Sequence, residues 1–173
     1  MKFNFTSYPI LKTQRLLLRE ATKDDCKSVF ELRSSKEINK FVGTKLVETL
    51  QEANDFIEKC DHLYQSNKRV FWLIEYQKEI IGSIVLHKIN LENNYAEIGY
   101  KLKPEFQQKG IMSKALHTVL EFGFKKLHLK TIEAFTHKNN IASKALLEKH
   151  HFKFQPNRRC KVYSFNRIWR LDN

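Results

Sequence analysis

Apolar residues recur along the chain at the spacings of strands and amphipathic helices, with no long linker and no internal repeat. Residues 15–19 predict the first strand. Two helices are predicted to follow, because each begins with a threonine and an acidic residue three positions later, which resembles a capping box. These pairs are Thr22 with Asp25 and Thr49 with Glu52. Both helices carry an apolar stripe and are expected to face a core.

The middle of the chain predicts three strands, at residues 70–76, 79–89 and 95–102. The turns between them are short and polar, and such links join antiparallel neighbours. We therefore expect an antiparallel meander.

The pattern then changes to alternating helices and strands, with a helix at 109–126, a strand at 131–135 and a helix at 140–150. A strand, a crossover helix and a strand form a βαβ unit, so the last meander strand and the strand at 131–135 should run parallel. Two tail strands are predicted at 152–155 and 162–171. The predicted fold class is α/β, with a mixed, mostly antiparallel sheet and flanking helices.

The length of the chain indicates how many domains it forms, and its charge indicates which kinds of ligand or partner it binds. A chain of 173 residues with 42% hydrophobic residues predicts a single domain, residues 1–173. Residues 101–173 hold 16 Lys and Arg against 5 Asp and Glu, whereas residues 1–100 hold 15 against 14. The second part should therefore face an anion: nucleic acid, an anionic membrane surface, an acidic protein or a small polyphosphate.

Other features argue against membranes, disulfides and metals. No apolar stretch approaches the roughly 18 residues of a membrane span, so we expect a cytoplasmic protein with no membrane contact. Cys26, Cys60 and Cys160 are widely spaced and form no CxxC pair, which predicts neither a disulfide framework nor a zinc site. His117 and Glu121 lack a third well-spaced ligand, so no metal is expected.

The junction at residues 102–113 is the strongest candidate for chemistry, since GxGxxG, P-loop, HExxH and GxSxG motifs are missing. It leads from a strand into a helix, whose first turn presents unpaired N–H groups and the positive end of the helix dipole. Gly110 permits close approach by an anion, and Lys109 adds a cation. An ordinary helix start accounts for these local residues equally well.

The run at residues 107–112 resembles the Q/R-x-x-G-x-G/A pyrophosphate-binding motif of the GNAT superfamily, the acetyl-CoA-dependent N-acetyltransferases. The wider sequence is similar to the RimJ/RimL-type branch. Residues 11–19 match its T-x-R-L-x-L-R start, residues 95–102 its fourth strand, and residues 140–143 its N-x-x-S helix. The resemblance covers nearly the whole chain and implies a GNAT-like sheet in which a parallel strand pair splays apart.

Two positions depart from the family pattern. Met112 stands where the motif ends in glycine or alanine, and His151 stands where a glycine precedes Phe152. Neither change removes a functional side chain.

The resemblance also implies a binding site for acetyl-CoA as co-substrate. Asn140 and Ser143 would lie beside the pantetheine and the thioester. Three residues would pair with the pantetheine arm as a short extra strand: Lys101, Leu102 and Lys103. Six backbone amides would hold the pyrophosphate: Gln108, Lys109, Gly110, Ile111, Met112 and Ser113.

Catalytic roles follow from the same resemblance. Glu97 occupies the fourth-strand position of a catalytic glutamate and would act as the base, directly or through a water; an ion-paired strand glutamate is the alternative. The backbone N–H near Lys101 would stabilise the oxyanion. Leu147 replaces the tyrosine that many relatives use as acid, so Ser143 is the expected acid, unless its hydroxyl only bonds a backbone carbonyl. His137 follows the strand at 131–135, where a second base or a substrate contact could lie, but we expect it to be a solvated loop histidine.

Three functions remain open from the sequence. The leading one is acetyl transfer from acetyl-CoA to a primary amine by direct attack in a ternary complex. The acceptor would be a protein N-terminal α-amine, possibly of an acidic or ribosomal protein, or a small-molecule amine; the basic field disfavours spermidine. The alternatives are a non-catalytic acyl-CoA-binding domain and a basic nucleic-acid-binding module, although no RNA-binding motif is present. A monomer or a homodimer is expected.

Overall fold

The computed structural model describes residues 7–173, so residues 1–6 of the predicted domain lie outside the described part. The described residues form an eight-stranded sheet and four α-helices. The strands are β1 (Leu11–Lys12), β2 (Leu16–Arg19), β3 (Arg69–Tyr76), β4 (Glu79–Asn90), β5 (Tyr95–Leu102), β6 (Thr131–His137), β7 (Lys153–Phe154) and β8 (Asn166–Asp172). The helices are α1 (Cys26–Ser34), α2 (Leu50–Gln65), α3 (Ile111–Lys125) and α4 (Ile141–Lys149).

The strand order is β1-β2-β3-β4-β5-β6-β8-β7. Strands β3, β4 and β5 form the predicted antiparallel meander, and β5 pairs with β6 in parallel, as the βαβ unit requires. The turn between β3 and β4 places Gln77 and Lys78 at φ values of 50° and 66°. The predicted fold class, a mixed and mostly antiparallel sheet with flanking helices, is confirmed.

The parallel pair separates halfway along its length. β5 and β6 pair from Tyr95 with Thr131 as far as Ile98 with Ala134. Beyond that point β5 continues beside β4 to Leu102, and β6 continues beside β8 to His137. The two strands therefore open a V-shaped gap, and the predicted splay is confirmed.

Each face of the sheet is covered by helices that bury an apolar stripe. On one face the buried core includes Trp72, Leu86 and Leu116, the last of these on α3. On the other face the core includes Leu32 of α1 and Ile57 of α2. Because successive residues of a strand point to opposite faces, the odd-numbered residues of β5 face α1 and α2.

Several element boundaries differ from the predictions for local reasons. β1 was not predicted, and the last strand begins at Asn166 rather than 162. The preceding residues form turns, in which Tyr163 N–H donates to Cys160 Sγ at 3.4 Å and Asn166 N–H donates to the Tyr163 carbonyl at 3.0 Å. Helix α3 begins two residues later than predicted, because Gly110 has a left-handed φ of 72°.

Candidate active site

A groove of about 1730 Å³ opens at the gap between β5 and β6. Its walls include the start of α3, the start of α4 and the segment around Phe41 between α1 and α2. Almost all of the predicted site residues lie along it. The groove therefore joins both faces of the sheet at the point where the parallel pair opens.

The start of α3 presents a run of unpaired donors. Gln108 and Gly110 adopt positive φ values of 58° and 72°, which turn the chain sharply before the helix. Within residues 7–173 no protein acceptor bonds the backbone N–H groups of residues 108–113, and the first helical bond is from Lys114 to Gly110. These donors sit at the positive end of the helix dipole, a geometry that suits an anion.

Ile111 and Met112 contribute only backbone to that turn. Their side chains are 2% and 9% exposed and pack in the core. The methionine that departs from the family motif therefore points away from the donors.

A second cleft of about 490 Å³ adjoins the start of α3. It is lined by basic residues, among them Arg15, Lys114 and Lys149. Arg15 Nη2 donates to the Lys109 carbonyl at 3.4 Å, which ties the cleft to the turn. Sequence reasoning missed this cluster as a site, because its members are far apart along the chain.

The free edge of β5 is formed by Tyr100 and Leu102. The Lys103 N–H donates to the Ile81 carbonyl at 2.9 Å and so points toward β4. N–H groups alternate between the two edges of a strand, so Lys101 N–H also points toward β4, while those of Tyr100 and Leu102 point into the gap. The predicted pairing of the Lys103 N–H with the pantetheine arm is therefore corrected, because this N–H already bonds the Ile81 carbonyl. The donors near Lys101 that point into the gap belong to Tyr100 and Leu102.

The side chains of Lys101 and Lys103 differ in role. Lys103 Nζ lies 3.1 Å from carboxylate oxygens of both Glu31 and Glu79, so it ties α1 to β4. Lys101 Nζ donates to Asn39 Oδ1 at the groove. Burial, with the positive charge of Arg33, lowers the pKa of Lys101 to about 7.

Asn140 and Ser143 meet a tyrosine at the mouth of the gap. Asn140 Oδ1 accepts the Ser143 N–H at 3.1 Å and so caps α4. The Ser143 hydroxyl lies 2.7 Å from the Tyr100 hydroxyl, not on a backbone carbonyl. Burial raises the pKa of Tyr100 to about 12, so this hydroxyl keeps its proton. Sequence reasoning missed Tyr100.

Glu97 is buried at 7% exposure and lines the groove on the face of α1 and α2. Its Oε1 accepts from Lys88 Nζ at 2.9 Å and from Tyr95 hydroxyl at 3.3 Å. Its Oε2 accepts no hydrogen bond within the described residues and lies 3.9 Å from His87 Nε2. Burial, with the charges of Arg69 and Lys88, lowers the pKa of His87 to about 4, so at neutral pH this contact is not an ion pair.

Comparison with known proteins decides the family. The model of the acetyltransferase (GNAT) domain matches residues 15–153. The chain belongs to the GNAT acetyltransferase family. The predicted family and N-acetyltransferase class are thereby confirmed.

Related proteins of this GNAT family differ in their acceptors. An uncharacterized N-acetyltransferase of Bacillus subtilis, YoaA, is 35% identical over 144 residues, 82% of this chain and 81% of its own length. Spermidine N(1)-acetyltransferase of Escherichia coli is 26% identical over 71% of this chain and 64% of its own. The solved RimL ribosomal L7/L12 alpha-N-protein acetyltransferase with coenzyme A shares the fold at a TM-score of 0.84 and 20% identity, covering 95% of this chain and 98% of that chain.

In this GNAT protein an aromatic cluster lines part of the groove. The His137 ring lies 5.4 Å from Phe41 and 4.8 Å from Phe165, centroid to centroid. Phe165 stacks on Tyr163, and a Cβ on Gly43 would lie 2.6 Å from the Tyr163 ring. His137 is therefore the half-buried last residue of β6, in contact with two aromatic rings, and not a loop histidine.

The positive charge of residues 101–173 is divided between ion pairs and the groove. Lys125 pairs with Glu121, Arg158 with Glu133 and Arg170 with Asp172.

The described residues contain no group of three or more potential metal ligands, and all three cysteines are free thiols. No described helix is long and apolar enough to cross a membrane.

Proposed function

We propose that the protein transfers the acetyl group of acetyl-CoA to a primary amine by direct attack in a ternary complex. The observation that carries this proposal is the run of unpaired N–H groups at residues 108–113 beside the gap in the sheet. These donors suit a pyrophosphate, and the gap leads from them to polar groups suited to acyl transfer.

The described residues offer partners for the phosphates and for the pantetheine arm of CoA. The donors at 108–113 would hold the pyrophosphate, and Arg15, Lys114 and Lys149 would face the ribose 3′-phosphate. The N–H group of Leu102 would bond the pantetheine arm as an added strand would. Asn140, with its Oδ1 held by the helix cap, would direct its amide Nδ2 toward the same arm.

The reaction needs one bond made, one bond broken and two proton transfers. The amine nitrogen attacks the thioester carbon and forms the C–N bond, and the C–S bond breaks. The attacking nitrogen loses a proton and the departing sulfur gains one. Negative charge on the carbonyl oxygen in the transition state would be stabilised by the Tyr100 N–H at the free edge of β5.

Glu97 is our candidate for the base. Its Oε2 faces the groove side of the sheet without a hydrogen-bond donor in residues 7–173, while Oε1 is held by Lys88. A carboxylate with one oxygen fixed and one free can accept a proton from the amine through a water.

Ser143, with Tyr100, is our candidate for the acid. Either hydroxyl can donate in the 2.7 Å pair, so a proton given by Ser143 can be replaced from Tyr100. This contact supports the acid role over a serine that only bonds a helix carbonyl, because the hydroxyl is directed at the gap.

The acceptor class stays open between a protein N-terminal α-amine and a small-molecule amine. The test is thiol release from acetyl-CoA with a panel of peptides and small amines, with the acetylated product identified by mass spectrometry. Thiol release that depends on an amine supports the proposal. CoA binding without amine-dependent release would favour a non-catalytic domain, and salt-sensitive RNA binding without CoA affinity would favour the nucleic-acid module.

A further inference from the structure

The groove continues past Glu97 onto the face of the sheet that α1 and α2 cover. In register across β3, β4 and β5, Arg69 lies opposite His87, and His87 lies opposite Glu97. Arg33 of α1 lies over the same area and lines the same cavity. Two arginines therefore line the groove beyond the carboxylate proposed as base.

These two arginines lack an acidic partner. Neither Arg33 nor Arg69 forms an ion pair within residues 7–173, and the Nε atom of each is buried without a hydrogen-bond acceptor. Arg69 Nη1 contacts Cys60 Sγ at 3.7 Å, but burial raises the pKa of that thiol, so it is not an anion. Both residues are half-buried, and an arginine whose Nε is buried ordinarily has a carboxylate or phosphate partner.

Neighbouring groups hold the arginines in place and add to the charge. The Arg33 guanidinium carbon lies 3.7 Å from the centroid of the Phe56 ring, which fixes its position. Lys101 lines the same wall and interacts with the charge of Arg33. The wall thus carries the positive charge of two arginines, from α1 and β3, with Lys101 of β5 beside them.

The two buried carboxylates nearest to this wall already have cations of their own. Glu97 bonds Lys88, and Glu133 is held by both terminal nitrogens of Arg158. They are therefore not the missing partners of Arg33 and Arg69. A ligand in the groove can supply that partner.

We propose that the amine acceptor carries an oxyanion, a carboxylate or a phosphate, which Arg33 and Arg69 bind. This inference rests on the proposed acetyl transfer. Neighbouring strands are about 4.8 Å apart, so β3 lies ~10 Å from β5. An amine near Glu97 with its anionic group roughly 5–10 Å away would span the two sites. An acidic residue near a peptide N-terminus and a small amino phosphate both meet this requirement.

The test compares acceptors that differ only in the anion. One pair is the amidated dipeptides Ser-Asp and Ser-Asn, the other is O-phosphoethanolamine and ethanolamine, and spermidine is a cationic comparison. In at least one pair we expect kcat/KM to be about tenfold or more higher for the anionic member, since a buried bidentate pair discriminates by that order. The pair that shows this preference indicates whether the acceptor is a peptide or a small molecule.

Arg33→Met and Arg69→Met should each lower kcat/KM about tenfold for the anionic member of that pair and much less for its neutral member, with the KM for acetyl-CoA unchanged. Arg33→Lys and Arg69→Lys keep the positive charge and should retain part of the preference for the anionic acceptor. Arg167→Met removes an arginine outside the groove and is the matched control. Thermal melting verifies that each variant is folded.

Three results would overturn the inference while leaving acetyl transfer intact. They are equal kcat/KM for both members of each pair, a preference for spermidine, and an equal loss of kcat/KM for both members in the arginine variants. Absence of thiol release with every amine would instead contradict the proposed function, and with it this inference.

Discussion

The hydroxyl groups of Tyr100 and Ser143 lie 2.7 Å apart and join the free end of β5 to the first turn of α4. The two residues are 43 positions apart in sequence, and both are at the point where the parallel strands separate. In the proposed reaction, this contact would give the leaving thiolate a protonated neighbour with a second donor behind it.

We predict that Ser143→Ala lowers kcat by about 10²-fold and that Tyr100→Phe lowers it by ~10-fold, because general acids contribute on this scale and the second donor acts through the first. The Kd for CoA should change little in both variants. Steady-state kinetics with calorimetric CoA titration measure this, and Ser66→Ala on the exposed end of α2 is the control. A normal kcat in Ser143→Ala would exclude the acid role.

Replacing Glu97 with Gln should lower kcat by about 10²-fold or more, because the amide cannot take the amine proton. The Gln side chain keeps the size of Glu, so CoA binding is expected to persist. Glu92→Gln, in the exposed turn before β5, removes the same charge away from the groove and should leave the rate unchanged. Equal rates for the Glu97 and Glu92 variants would remove Glu97 from the mechanism.

Arg15 should recognise the 3′-phosphate of CoA. We expect Arg15→Met to raise the Kd for CoA roughly tenfold, the value of one charge-assisted contact, and to leave the Kd for dephospho-CoA unchanged. Lys12→Met, which removes an exposed cation three residues earlier, is the control. If Arg15→Met weakened both ligands equally, the second cleft would not hold the 3′-phosphate.

Lys101 should make stability depend on pH in a defined direction. Its pKa is lowered from 10.5 to about 7 in the folded state, so the unfolded chain binds more protons between these values. Stability therefore rises with pH across this window. Lys101→Met removes the penalty, so its Tm relative to the wild type should be highest below pH 7 and should fall as pH rises toward 10.5.

Each kcal/mol of difference in the free energy of unfolding between Lys101→Met and the wild type corresponds to a Tm difference of ~2–4 °C in a domain of this size. Lys68→Met, an exposed lysine, is the control for the loss of a charge. A Tm difference between Lys101→Met and the wild type that stays constant from pH 6 to pH 10 would contradict a buried, depressed Lys101. The loss of the hydrogen bond from Lys101 to Asn39 adds to this Tm difference only an offset that does not change with pH.

Periodicity and spacing were sufficient for the order of the elements from β2 onward, for the meander and for the parallel pair. Local geometry was harder to predict, because Gly110 shifts the start of α3 and the turns around Cys160 delay β8. The turn at 108–113 could be predicted because its chemistry is carried by one continuous segment.

Tyr100, Arg33 and Arg69 could not be found in the same way. Their surroundings depend on contacts between elements far apart in sequence: Tyr100 with α4, Arg69 with β4 and Arg33 with Phe56 of α2. Strand register determines the neighbour of Arg69, and helix packing determines the other two, so no local motif encodes them.

A crystal structure of the protein with CoA tests the proposed binding site most directly. We expect pyrophosphate oxygens within about 2.7–3.2 Å of the backbone nitrogens of residues 108–113, with the pantetheine arm in the gap between β5 and β6. A pyrophosphate bound elsewhere, with those N–H groups facing solvent, would contradict it.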